Sequence, residues 1–184
     1  MKLTKKTFIR SLPILILLFS TVACSSPRIK GINPEFKDYV QDFGRMLPEY
    51  RKDAEKLNIG FEDFYKTKDD FNVIGKCYYN PLSPNTVSID RMYWEFATPT
   101  SRYFTMLHEL GHCVCYAPHS EATSGWIGTI EDFLFRLGVW KKRGYLEDGC
   151  PASLMHPTEF SQICVIRHFN HYIEDFKRVC RKRD

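Results

Sequence analysis

Apolar residues recur at helical spacing between about residues 34 and 57. Asn33 can cap the start of such a helix, and Pro34 suits its first position, where no backbone donor is needed. Gly44 and Pro48 interrupt the pattern. Because a proline at position 48 cannot donate a hydrogen bond to the carbonyl of Gly44, the pattern predicts either a kink or two separate helices.

Three more helices are predicted from apolar spacing nearer the C-terminus. The first covers about residues 99–115, with Thr98 as its cap and Pro99 in its first position. A last helix begins after a cap at Thr158 and ends in a basic segment, which suits a helix C-terminus. Between them a short amphipathic helix carries its apolar residues at Ile130, Phe133, Leu134 and Leu137.

Between residues 58 and 90 the helical spacing is lost and β-forming residues dominate. Residues 71–79 and 85–90 flank a loop with two prolines and predict two strands of a small sheet. We expect the second strand to lead toward the helix at residues 99–115. Trp94 and Phe96 are predicted to pack against the start of that helix.

The first 23 residues have the pattern of an export signal. Four basic residues precede a short apolar run at residues 12–19, which is too short to span a bilayer comfortably. Thr21-Val22-Ala23-Cys24 resembles a bacterial lipobox, in which Cys24 is lipidated and becomes the mature N-terminus. Ordinary signal-peptide cleavage and an uncleaved anchor are the alternatives.

These features predict a lipoprotein signal peptide at residues 1–23, a tether at 24–33 and a single domain at 34–184. Ser25 follows Cys24 where an aspartate would mark inner-membrane retention, so the resemblance to such signals points to the outer membrane of a bacterial envelope.

Removal of the signal peptide changes the charge balance. The whole chain has 26 basic and 22 acidic residues, and four of the basic ones lie in residues 1–23. The remaining chain therefore carries 22 of each sign, so no nucleic-acid partner is implied. About 160 residues remain, which suffices for one domain with its own core.

Residues 108–112 contain the pattern H-E-x-x-H. His108 and His112 fall on one face of a helix, where their imidazoles can share one metal ion, and zinc suits such ligands best. Glu109 lies about 100° round the helix, where it can face a metal-bound water and take its proton without being a ligand. A buried helix whose histidines only form hydrogen bonds is the alternative.

Two stretches downstream add to this motif. His119 follows His112 by seven residues, after a proline, and is the candidate third ligand; a histidine in a surface loop is the alternative. Residues 149–157 form a proline-bounded turn whose single methionine, Met155, could lie beneath the metal. His156 is either an extra ligand or a residue that supports the turn.

The three histidines and the turn around Met155 together resemble the metzincin metallopeptidases, whose pattern is a zinc helix, a third histidine and a Met-turn. A narrower resemblance is to a group of predicted bacterial lipoprotein metallopeptidases. It rests on residues 75–77, 88–90 and 108–113 and on Trp94. The resemblance covers about residues 35–157.

This resemblance implies an α+β, metzincin-like fold. It would have a small mixed sheet, two long helices and a smaller C-terminal helical lobe after the Met-turn, with the cleft between them. It also implies a zinc cofactor held by His108, His112 and His119, and hydrolysis of peptide bonds with Glu109 as general base. Apart from the resemblance, we expect that the strand at residues 85–90 could hold the substrate backbone by strand addition.

The spacing departs from the metzincin pattern at one place. The usual third histidine comes six residues after the second, with a glycine at the third position, whereas here the spacing is seven and Cys115 stands where the glycine would be. The turn before His119 must therefore be built differently. A rival zincin class takes a downstream glutamate with an aspartate four residues later, and neither Glu131 nor Glu147 has one.

Six cysteines remain besides Cys24, an even number that predicts up to three disulfides in an exported chain. Cys164 and Cys180 lie about 24 Å apart on one predicted helix and cannot pair. Fifteen connectivities are possible for six cysteines, and Cys77 with Cys113 is the pairing we favour. Cys113 points away from the histidine face, so zinc binding by its sulfur is not expected.

The leading interpretation is a lipid-anchored zinc endopeptidase of the bacterial envelope, monomeric, with a peptide or protein substrate and a membrane partner. A non-catalytic zinc lipoprotein that acts as a binding module is one alternative. A zinc amidase that acts on peptidoglycan is another. An intact Glu109 favours an enzyme, because a purely structural zinc site has no need of it.

Overall fold

The computed structural model of the chain describes residues 29–64, 73–120, 144–157 and 160–181. The predicted signal peptide, Cys24, the amphipathic helix around residues 130–137 and the cap at Thr158 lie outside these ranges. Among the described helices, none combines the length and the apolar character needed to cross a membrane.

The described residues confirm a small α+β fold with a mixed sheet of three strands. The helices are α1 (Lys37–Met46), α2 (Arg51–Glu55), α3 (Arg91–Phe96), α4 (Pro99–Cys113) and α5 (Gln162–Arg181). The strands are β1 (Asn58–Glu62), β2 (Gly75–Tyr78) and β3 (Thr86–Asp90). Short 3₁₀ turns at Pro34–Phe36 and Pro48–Tyr50 precede α1 and α2.

The N-terminal helical region is broken where the sequence predicts it. The Asn33 side chain accepts a hydrogen bond from the backbone N–H of Glu35, which caps the first turn. Pro48 starts a new 3₁₀ turn after α1 ends. The carbonyl of Gly44 accepts hydrogen bonds from the Arg51 guanidinium, at 3.4 Å from both Nε and Nη2, in place of the backbone donor that proline lacks.

Contacts with the sheet begin within the predicted tether. The backbone N–H of Ile59 donates to the carbonyl of Gly31 at 2.9 Å, and the N–H of Asn33 donates to the carbonyl of Ile59 at 2.9 Å. Ile29 covers Gly60, where an added Cβ would lie only 2.8 Å from the Ile29 side chain. Residues 29–33 are therefore attached to β1.

The sheet has the order β1-β3-β2, with β1 parallel and β2 antiparallel to β3. All five residues of the central strand β3 are buried, which fits a strand covered on both faces. The strands predicted at residues 71–79 and 85–90 are present as β2 and β3. β1 was not predicted: Ile59 and Phe61 alternate as in a strand, but the run is only five residues long and has Gly60, which weakens a strand, at its centre.

The predicted role of β3 in holding a substrate by strand addition is wrong. β3 lies between β1 and β2, so both of its edges are already paired. Strand addition requires an outer strand. The outer strand nearest to α4 is β2, which packs along the helix.

Trp94 packs as predicted and Phe96 does not. Trp94 is buried against Phe36, and the Nε of Arg102 in α4 donates to its carbonyl at 2.8 Å. Phe96 is 84% exposed. Because α3 is helical, residues two apart point about 200° apart, so only one of this pair can face the core.

Three disulfides use all six cysteines other than Cys24, which confirms the number predicted. Cys77–Cys113 joins β2 to the end of α4, as favoured from the sequence. Cys115–Cys180 joins the segment after α4 to α5, and Cys150–Cys164 joins the methionine turn to α5. Cys164 and Cys180 both lie on α5, which agrees with the reason for excluding that pair.

Candidate metal centre

The helix α4 carries the H-E-x-x-H motif within its last turns, with the Thr98 side chain capping its start. The Nε2 atoms of His108 and His112 lie 3.0 Å apart. His119, beyond the end of the helix, places its Nε2 3.2 Å from that of His108 and 3.0 Å from that of His112. The three predicted ligand residues therefore converge on one point through the same ring atom.

This triangle fits a tetrahedral metal ion. Zinc–nitrogen bonds of about 2.0–2.1 Å in a tetrahedral set put neighbouring nitrogens roughly 3.3 Å apart. The observed separations of 3.0–3.2 Å need only a small outward shift. An ion bound to the three histidines would keep its fourth position for water or substrate, as in catalytic zinc sites.

Backbone carbonyls set the tautomers of two of the histidines. Nδ1 of His108 donates to the carbonyl of Leu154 at 2.9 Å, and Nδ1 of His112 donates to the carbonyl of Ala117 at 2.6 Å. Because a carbonyl only accepts, Nδ1 carries the proton in both rings. When the rings are neutral, each Nε2 then presents a lone pair to its neighbour, and two lone pairs 3.0 Å apart favour a cation between them.

Burial favours the neutral form of these rings. It lowers the pKa of His108 to about 3, and the adjacent His112 adds to this effect. The pKa values of His112 and His119 are also lowered, in both cases chiefly by burial. Neutral imidazole is the form that binds a metal.

Glu109 is buried, with 4% of its surface exposed. Its Oε2 has no hydrogen-bond partner among the residues that the structure describes. Burial raises the pKa of this carboxyl to about 8, because the charged form has lost its water. A buried acceptor without a donor, on the cavity wall that it shares with His108 and His119, fits a carboxylate that receives a hydrogen bond from a water at a metal.

Gly75, the first residue of β2, lies directly against this carboxylate. An added Cβ at Gly75 would come within 2.6 Å of Oε1 of Glu109. No role for Gly75 follows from the sequence, although residues 75–77 contribute to the narrower resemblance. A glycine at the start of a strand indicates a close approach of another group to the backbone.

Met155 packs against α4, on which two of the predicted metal ligands lie. It is 1% exposed, and an added Cβ at Gly111 would come within 2.8 Å of its sulfur and of the Phe176 ring. The glycine inside the H-E-x-x-H motif thus lets the methionine turn approach the helix. The neighbouring carbonyl of Leu154 is the one that orients His108, so the turn contributes directly to the histidine cluster.

His156 lies on the wall of the same cavity and outside the histidine triangle. It is 1% exposed, its ring contacts that of Tyr145 at 4.6 Å between centroids, and its backbone N–H donates to Ser153. A second group that could hold a metal, Asp148, Cys150 and His168, includes a sulfur already used in the Cys150–Cys164 disulfide. Asp148 and His168 instead form a hydrogen-bonded pair at 2.8 Å.

A cavity of about 400 Å³ opens beside His108, Glu109 and His119. Much of its lining was not singled out from the sequence, namely Val73, Ile74, Tyr93, Ser101, Phe104, Thr105, Pro157 and Phe160. A signal for part of this set was present: positions three, four and seven residues before His108 lie on the same helical face as the ligands. The lining residues that lie outside α4 have no comparable sequence pattern.

The turn before His119 is built differently from the metzincin pattern, as the spacing required. Cys115, in the place of the expected glycine, is bonded to Cys180. The next residue, Tyr116, takes the left-handed conformation instead, with φ of 52°. This conformation costs a non-glycine residue roughly 1–2 kcal/mol.

No protein-family model, no curated protein and no solved structure matches the chain.

Proposed function

We propose that this chain is a zinc-dependent endopeptidase of the bacterial envelope, related in its mechanism to the metzincins. The observation that carries the proposal is the pairing of Glu109 with the histidine triangle. A buried carboxylate oxygen to which none of the described residues donates lies on the cavity that His108 and His119 also line. A purely structural metal site has no use for such a group.

Zinc is the proposed cofactor, with His108, His112 and His119 as ligands. Three neutral imidazoles and an open fourth position are the ligand set of catalytic zinc. When bound, zinc acts as a Lewis acid that acidifies water and polarises a carbonyl. The carbonyls of Leu154 and Ala117 would keep two of the rings in the ligating tautomer.

Glu109 is the proposed general base. Its carboxylate would take a proton from the attacking water and pass the proton to the leaving amine. A nearby cation favours the ionised carboxylate and so opposes the effect of burial on its pKa. The backbone of Gly75 would restrict the movement of the carboxylate, because it lies so close that an added Cβ would come within 2.6 Å of Oε1.

The cavity supports a substrate with an apolar side chain beside the cleaved bond. Phe104 and Phe160 supply apolar wall, while Ser101, Thr105 and Tyr93 add polar groups. The outer strand β2 starts at Gly75, on the same wall, and is the strand that we propose to align an extended peptide. Both features favour a peptide over a small-molecule substrate.

Export and lipid anchoring through Cys24 complete the proposal. The basic and apolar N-terminal pattern supports export, and three disulfides favour an oxidising compartment. Mass spectrometry of the native N-terminus should find a lipidated Cys24. A mature chain that begins at another residue without lipid would contradict this part.

The activity is tested by incubation of the purified chain with a peptide library and mass spectrometry of the products. We expect cleavage that is lost with a zinc chelator and restored by zinc, with apolar residues enriched on one side of the cleaved bond. Parallel incubation with peptidoglycan tests the amidase alternative. A chain that holds one zinc and cleaves neither substrate would favour a binding module.

A further inference from the structure

The segment between His112 and His119 depends on an unusual backbone conformation. Tyr116 is the one non-glycine residue in the described ranges with a positive φ, 52°. Tyrosine enters this region rarely, because its Cβ crowds the following carbonyl. Such a conformation persists only where surrounding contacts impose it.

The residues on either side of Tyr116 connect it to the metal centre. The backbone N–H of Ala117 donates to the carbonyl of Gly111 at 3.0 Å, which turns the chain back along α4. The carbonyl of the same Ala117 accepts from Nδ1 of His112 at 2.6 Å. His119 follows two residues later. The backbone conformation of Tyr116 thus affects both the orientation of the His112 ring and the direction in which the chain continues to His119.

Tyr79 holds Tyr116 from the side of the sheet. The two rings stack at 5.6 Å between centroids with an interplanar angle of 15°. The hydroxyl of Tyr79 donates to the carbonyl of His112 at 3.0 Å. Tyr79 comes directly after β2, which is tied to the end of α4 by Cys77–Cys113. Its ring and hydroxyl therefore contact both sides of the turn.

We propose that Tyr116 is a positioning residue of the metal centre and that Tyr79 keeps it in the left-handed conformation. A glycine could adopt the left-handed conformation at this position without strain. The stacked Tyr79–Tyr116 pair stabilises that conformation instead, and it fixes the turn more firmly than a flexible glycine could. This inference rests on the proposed zinc site. It assigns these exposed tyrosines, 53% and 51% accessible, a function beyond surface packing.

The experiment measures zinc affinity by competition with a chelator and records the visible spectrum of the cobalt-substituted protein. Tyr116→Val forbids the left-handed conformation, because a β-branched residue is strained there. Tyr79→Ala removes the stack and the hydroxyl together. We expect each variant to bind zinc about 10–100-fold more weakly, as when groups that orient ligands are lost, and to change the cobalt spectrum.

Tyr116→Phe keeps the stacked ring and should bind zinc more tightly than Tyr116→Val. Phe96→Ala removes an exposed aromatic side chain from α3 and serves as the matched control. Circular dichroism of each metal-free variant checks the fold; if Tyr116→Val does not fold, Tyr79→Ala decides the question. Tight zinc binding and an unchanged cobalt spectrum in Tyr79→Ala, beside a zinc-binding wild type, would overturn this inference alone. A wild type that binds no zinc would overturn the proposed function as well.

Discussion

The backbone of Gly75 lies against the carboxylate of Glu109, so closely that a Cβ at position 75 would come within 2.6 Å of Oε1. The outer strand of the sheet and the proposed general base are therefore in direct contact. Any side chain at position 75 must displace the carboxylate, which is the free end of a flexible side chain.

Gly75→Ala should reduce peptide hydrolysis without loss of zinc. A displacement of about 1 Å in a catalytic group can cost on the order of 10²-fold in rate. Steady-state cleavage and zinc content measured on the same preparation test this. Gly44→Ala is the control, because Gly44 does not line the cavity and the three atoms nearest to its added Cβ belong to Arg51, at 3.0–3.5 Å. Equal activity in Gly75→Ala and the wild type would show that the contact has no catalytic consequence.

Glu109→Gln should retain zinc and fold while losing roughly 10²–10⁴-fold in hydrolysis rate. Glutamine keeps the shape of the side chain and cannot take up a proton. Cleavage assays with elemental analysis of the variant provide the measurement. Glu174→Gln changes an exposed carboxylate on α5 that contacts only Lys177 in a described ion pair, and should behave as wild type. Cleavage by Glu109→Gln at the wild-type rate would contradict the proposed mechanism.

His119→Ala should lose most of its zinc, because two histidines alone leave a metal site incomplete. His156→Ala should keep zinc, since its ring lies outside the histidine triangle. Elemental analysis after dialysis against a weak chelator compares the two variants. Thermal unfolding of each metal-free protein separates loss of the site from loss of the fold. Full zinc occupancy in His119→Ala would remove His119 from the ligand set.

Removal of the disulfides should destabilise the protein in an order set by the loops they close. Cys115–Cys180 spans 65 residues and Cys150–Cys164 spans 14. The chain-entropy relation assigns them about 4 and about 3 kcal/mol of the free energy of unfolding. Paired Cys→Ser variants, unfolded in guanidinium under oxidising conditions, give both values. A larger loss for the shorter loop would point to lost native contacts instead of chain entropy.

Local chemistry determined the parts of this protein that the sequence could predict. Two histidines four residues apart meet on any helix, so the approach of His108 and His112 follows from the backbone alone. The break near Pro48 follows equally from a missing backbone donor. The exclusion of Cys164–Cys180 needed only the rise of a helix.

Contacts between distant segments were decided by tertiary structure. The position of β3 between β1 and β2 reversed the expected role of the strand at residues 85–90, because strand order depends on pairing across the whole domain. Gly75 reaches Glu109 only because β2 packs along α4. Tyr116 takes the left-handed conformation near the place where a glycine was expected, and its ring stacks on that of Tyr79, which lies 37 positions earlier in the chain. Side-chain spacing along the chain contains no information about such approaches, since they arise when separate elements share one core.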